Sequence, residues 1–141
     1  YIWFALKIER YKGDDMFIPI FRKDIEPIIR LIPNEATNIE EERSCVAVTL
    51  EKGTVHFKAS ARQTLCISYS VADVIDWTNR ELVLSIIHAA EEVAKSKGFI
   101  GLEIEAPERT PLIGLLILLG YVNQFGGKRT NGMEGKYARF F

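Results

Sequence analysis

Cysteine is scarce in this sequence, and neither sign of charge predominates. Cys45 and Cys66 are its two cysteines; both lie in apolar, strand-like stretches and lack the spacing of a metal site. We therefore expect no metal and predict two buried thiols in a reducing, cytoplasmic compartment, with a disulfide as the alternative. The 18 lysines and arginines nearly balance 19 acidic residues, which provides no electrostatic basis for binding nucleic acid or an anionic membrane.

Long hydrophobic runs are also missing. None reaches the roughly 18 residues that a membrane-spanning helix needs, and no cleavable signal peptide is recognisable. The chain is 48% hydrophobic and 26% charged, proportions that are ordinary for a soluble globular protein. Its 141 residues suit one domain with a single core, to which residues 1–16 could add an extra N-terminal strand.

Three stretches of the chain show apolar residues at the spacing of an amphipathic helix. The first is predicted to run from Asp24, as its N-cap, to Ile32. The second is a long central helix that begins near Arg80 and ends at Gly98, a residue type that readily adopts the left-handed conformation of a helix end. The third begins at Pro111, which is tolerated at the start of a helix, and is apolar all round.

Alternating apolar residues between and after these helices predict strands. Gly53 predicts the tight turn of a hairpin between two of them, and residues 33–43 are interpreted as a solvated loop because they are polar and acidic. This order of strands and helices predicts an α+β fold with a mixed sheet. The predicted strands are residues 45–50, 54–60, 64–74 and 99–106, followed by a closing hairpin of 121–125 with 136–141.

Four short motifs around the end of the central helix carry a resemblance to a known family. They are Gly98-Phe99, Leu102-Glu103-Ile104-Glu105, Pro111-Leu112-Ile113 and Leu119-Gly120-Tyr121. In this spacing they closely resemble the C-terminal half of the GCN5-related N-acetyltransferase (GNAT) family. The resemblance implies one GNAT-like domain over residues 1–141, with a mixed, mostly antiparallel β-sheet flanked by helices. It also implies that Tyr121 is an aromatic core residue.

The family's cofactor motif, Gln/Arg-x-x-Gly-x-Gly/Ala, is missing from this chain. In the family, these glycines let backbone N–H groups at the start of the central helix approach the pyrophosphate of acetyl-coenzyme A. The corresponding positions are Glu81 and Val83, and no glycine occurs between Gly53 and Gly98. A carboxylate about 4 Å from a phosphate charge costs about 4 kcal/mol at an effective dielectric of about 20. We therefore expect no cofactor at the degenerate positions Thr78, Asn79, Arg80, Glu81, Leu82 and Val83.

The same residues also have a purely structural interpretation. Thr78 and Glu81 have the spacing of a capping box, in which each side chain accepts a hydrogen bond from the backbone N–H of the other. Such a box occupies donors that a pyrophosphate would use. The sequence therefore predicts Thr78 as the N-cap of the central helix.

Candidate catalytic side chains have structural explanations that are at least as good. The tyrosine that often serves the family as general acid corresponds to Leu116, which cannot donate a proton. Asp73, Asp76 and Glu103 are candidates for a general base. The two aspartates are, however, interpreted as solvated strand ends and Glu103 as an outward position on its strand. We therefore expect no catalytic residue.

The remaining chemically active side chains belong to no motif. Neither histidine has further ligands at metal-binding spacing. A nucleophile pair of His56 with Cys45 or Cys66 stays open, without support from a motif. Glu91 and Lys95, four residues apart on the central helix, are predicted to pair at its surface.

Two functions from different classes remain open. The first is a non-catalytic GNAT-fold protein that regulates another protein by binding it. The chain is also similar in layout to ornithine decarboxylase antizyme, an acetyltransferase-like protein without a coenzyme A site. The second is a divergent N-acetyltransferase that holds acetyl-coenzyme A through residues 71–74, Asn79 and Arg80. We favour the first, with an acidic partner surface that contacts the basic residues Lys128, Arg129, Lys136 and Arg139.

Overall fold

The computed structural model describes residues 18–32, 36–71, 74–107, 110–124 and 133–141. The strand predicted within residues 1–16 lies outside this part of the chain, and so do Asp73, Lys128 and Arg129. The described helices are α1 (Arg22–Ile29), α2 (Arg80–Lys97) and α3 (Pro111–Leu118). The described strands are β1 (Asn38–Glu42), β2 (Cys45–Thr49), β3 (Thr54–Ala59), β4 (Thr64–Tyr69), β5 (Gly101–Pro107), β6 (Val122–Asn123) and β7 (Met133–Phe140).

All seven described strands form one sheet, in the order β1-β2-β3-β4-β5-β7-β6. Neighbours are antiparallel except β4 and β5, which pair in parallel because α2 connects them as a crossover. Ile28 of α1, Ile87 of α2 and Phe57 of β3 meet in one hydrophobic core. The predicted α+β fold with a mixed, mostly antiparallel sheet is confirmed, and the order of elements is the one that the GNAT resemblance implies.

The sequence predicts a core-facing stripe on α2 that begins at Leu82, whereas in the structure the stripe begins at Val83. Val83 and Ile86 are buried, whereas Leu82 is only half-buried. The helix ends at Gly98, whose φ of 87° lies in the left-handed region that favours glycine. Lys97 in the last turn suits the negative end of the helix dipole. None of the described helices is long and apolar enough to cross a membrane.

The predicted solvated loop at residues 33–43 is wrong for its second half. Residues 38–42 form the edge strand β1, which pairs with β2 along its whole length. Glutamate has a low strand propensity, but pairing with an apolar neighbouring strand outweighs it. Among the described strands β1 pairs with β2 alone, and its charged side chains discourage pairing of its other side with another chain.

Helix α1 begins and ends earlier than predicted. Phe21 is its N-cap, and the predicted cap Asp24 lies in the first turn, where its Oδ2 accepts the Phe21 N–H at 2.9 Å. Ile25 and Ile28 are buried, in agreement with the predicted apolar face. Strand β4 is also shorter than predicted and ends at Tyr69.

We expect Gly101→Ala to destabilise the protein and Gly114→Ala to stabilise it. A Cβ at position 101 would lie 2.6 Å from the Arg139 carbonyl oxygen, so β7 would have to shift, at a cost of about 1–3 kcal/mol. A Cβ on the helical Gly114 would meet nothing within 4 Å, and alanine gains about 1 kcal/mol of helix propensity. Urea unfolding measures both; an unchanged free energy for Gly101→Ala would contradict the close approach of β5 to β7.

Candidate functional site

The candidate cofactor site lies where β4 and β5 part, beside the first turns of α2 and α3. The parallel ladder ends at Ile67 opposite Ile104, and both strands continue beyond it. The Tyr69 hydroxyl on β4 donates a hydrogen bond across this gap to the carbonyl oxygen of Glu105 on β5. Burial raises the pKa of Tyr69 well above its usual value, so the hydroxyl keeps the proton that it donates.

Side chains fill the space beside this hydrogen bond. Trp77 belongs to the connection between β4 and α2, and its ring centroid lies 5.3 Å from that of Tyr69. Both rings are buried. A cavity of about 10 Å³, lined in part by Trp77, Ile67 and Ile104, remains there, which is roughly the space of one water molecule.

The N-cap of α2 is Asn79, and the predicted capping box of Thr78 is wrong. The Asn79 Oδ1 accepts the Leu82 N–H at 3.1 Å, and the Asn79 carbonyl oxygen accepts the Val83 N–H at 3.0 Å. Thr78 does not cap because its N–H and its hydroxyl donate to Asp76 Oδ1, at 3.0 and 2.5 Å. These bonds lower the pKa of Asp76. This exposed carboxylate is therefore a weaker base than an ordinary aspartate, which does not favour it as a general base. The Asn79 side chain thus binds one N–H donor of the first helical turn, that of Leu82, and the Val83 N–H makes the first ordinary bond of the helix.

The positions that correspond to the family's two glycines have different surroundings. Glu81 is exposed in the first turn of α2, where a carboxylate interacts favourably with the helix dipole and repels a phosphate. Val83 is 1% exposed and belongs to the hydrophobic core. Val83 therefore stabilises the core at a position where a glycine would leave a cavity.

An open groove of about 260 Å³ lies next to this helix start, between α2 and α3. Its walls are mostly apolar. Arg80 is exposed at its mouth and forms no ion pair with any residue that the structure describes. The groove is lined by Trp77, Thr78, Arg80, Pro111, Gly114, Leu115 and Leu118.

Glu103 is buried, so the predicted outward, solvated position is wrong. It is 3% exposed on β5, between Cys66 and Ala138 of the neighbouring strands. Arg62 Nη1 lies 3.5 Å from Glu103 Oε1, but no described group donates a hydrogen bond to that oxygen. Strand alternation places Glu103 on the opposite face from Leu102 and Ile104, but it cannot show that both faces of a central strand are buried.

The two cysteines are free and lie on the same face of the sheet. They belong to β2 and β4, and Lys58 of β3 is opposite each of them. Two strand spacings separate their backbones by about 10 Å, which exceeds the reach of a disulfide, so the disulfide alternative is wrong. Burial raises the pKa of the Cys66 thiol to about 11 and also raises that of Cys45. Both thiols are protonated at neutral pH, which opposes a nucleophile pair with His56.

A buried carboxylate, Glu91, connects α2 to β7. Its Oε2 accepts the Tyr121 hydroxyl at 2.7 Å and Arg139 Nη1 at 3.0 Å. The predicted surface pair of Glu91 with Lys95 is therefore wrong, since Glu91 is only 6% exposed. The sequence carried a signal for this position, because Glu91 falls on the buried stripe of the helix.

The other predicted site residues lie apart from this network or are part of the core. Leu116 is fully buried, so the position of the family's tyrosine packs in the core. Tyr121 is buried, as predicted. Lys136 is half-buried on β7, opposite Glu105, and Arg139 is bound to the carboxylate of α2. Within the described residues, no group of three or more His, Cys, Asp or Glu side chains could hold a metal ion.

Solved structures with a similar course of the backbone include acetyltransferases. A candidate N-acetyltransferase from Lactobacillus plantarum is 18% identical, with a TM-score of 0.47 over 68% of this chain and 68% of its own. Ard1 from Thermoplasma volcanium is 14% identical, with a TM-score of 0.46 over 86% of this chain and 94% of its own. The GNAT domain of S. lividans PAT is 12% identical, with a TM-score of 0.45 over 87% and 88%. At these values the chemistry of those proteins does not transfer, and no protein-family model or curated sequence matches the chain.

We expect Tyr121→Phe to lower the free energy of unfolding by about 1.5–3 kcal/mol, the contribution of a hydrogen bond to a charged group. The substitution removes the hydroxyl that donates to Glu91 and leaves the ring in place. Tyr137→Phe is the matched control, because Tyr137 is also buried and its hydroxyl has no described partner. Chemical denaturation measures both variants, and equal losses would contradict the buried network.

Stability should fall as pH rises from 9 to 11, in part because of Cys66. Its pKa is about 11 in the folded protein against an ordinary 9.0. Between these two values the folded state holds the proton that the unfolded state releases, so the free energy of unfolding falls by about 2 kcal/mol from pH 9 to pH 11. We expect Cys66→Ala to show a shallower fall in urea unfolding at pH 8, 10 and 11. Parallel curves for the variant and the wild type would show that the thiol is not buried.

Proposed function

We propose that this protein has a GNAT-like fold without acetyltransferase activity and that it regulates another protein by binding it. The observation that carries the proposal is the hydrogen bond from the Tyr69 hydroxyl to the Glu105 carbonyl oxygen. It bridges the parting ends of β4 and β5, where, in our proposal, the acyl-carrying part of the cofactor would have to lie. Trp77 packs against Tyr69 on the same side.

The start of α2 supports the same proposal by its hydrogen bonds and its charge. The N–H group of Leu82 is bound to the Asn79 side chain, so it is not offered to a pyrophosphate. The exposed carboxylate of Glu81 adds electrostatic repulsion at the position of the first glycine. The packed side chains of Tyr69 and Trp77 oppose entry of the acyl-carrying part of the cofactor, and the Glu81 carboxylate opposes binding of its pyrophosphate. These two effects are independent of each other.

An acidic partner surface remains the proposed binding target. Lys128 and Arg129 lie in the sequence between β6 and β7 and are the main candidates for contact, because Arg139 is already bound to Glu91. Lys136, half-buried on β7, is a secondary candidate. We base this mode of action on the resemblance in layout between the sequence and ornithine decarboxylase antizyme.

The alternative, a divergent N-acetyltransferase, is favoured by one feature of the structure. The open groove beside the start of α2 has Arg80 at its mouth, and a guanidinium can bind a phosphate. Asn79, the other residue considered for this role, is committed to capping the helix.

Calorimetry and thermal unfolding with acetyl-coenzyme A separate the two functions. A ligand at a hundred times its Kd adds about 2.7 kcal/mol to the free energy of unfolding. We expect no binding heat and no change in Tm with acetyl-coenzyme A at about 1 mM, a concentration at which even a weak ligand with a Kd of about 1 mM would bind half of the protein. A clear shift contradicts our proposal; Glu81→Gln should then bind more tightly, whereas the control Glu92→Gln on the same helix should not.

Co-purification tests the partner. We expect a stoichiometric heterologous protein that is retained by the wild type and by Lys95→Glu but lost from the double variant Lys128→Glu/Arg129→Glu. Thermal unfolding of each variant excludes loss of the fold as the cause. Recovery of no heterologous partner, or equal retention by the double variant, contradicts the proposed surface.

A further inference from the structure

We draw no further inference here: the strongest candidate, the exposed apolar face of α3 at Ile117 and Leu118 beside the groove at the start of α2, carries none because nothing in the described part of the chain shows what covers it.

Discussion

The hydrogen bond from the Tyr69 hydroxyl to the Glu105 carbonyl oxygen is the constraint on which the surroundings of the candidate site depend. Parallel pairing of β4 and β5 ends two residues earlier on β4, and the side chain of Tyr69 continues the connection where the backbones part. Trp77 rests on Tyr69, and the first turn of α2 follows Trp77 by only three residues. Trp77 also lines the groove between α2 and α3.

Two buried carboxylates, Glu91 of α2 and Glu103 of β5, differ in their polar partners. Glu91 is well satisfied, since it accepts bonds from Tyr121 and Arg139, and it fixes the position of α2 over the sheet. Glu103 has an ion pair with Arg62 but an unsatisfied Oε1.

Much of the fold could be predicted because its signals are local. The Gly98 helix end and the Pro111 helix start depend on backbone preferences of single residues. The hairpin at Gly53 was also predicted, although Gly53 has no positive φ and its small size matters instead, because an added Cβ would lie 2.6 Å from Val71 Cγ2. The errors concern residues whose partners are distant in sequence. The strand at 38–42 exists because β2 pairs with it, and Glu91 is buried because Tyr121 and Arg139 reach it. For the candidate site, the missing glycines were visible in the sequence, whereas the Tyr69 bridge was not.

By itself, the sequence determined the order of the elements, their apolar faces and the loss of the two glycines, because periodicity and backbone preference act within a few residues. The tertiary structure alone decided which side chain caps α2, because Asp76 engages Thr78 and leaves Asn79 to accept the Leu82 N–H. It also decided that the gap between β4 and β5 is bridged. A hydrogen bond across 36 residues depends on where the sheet places two strands, and no local pattern encodes that placement.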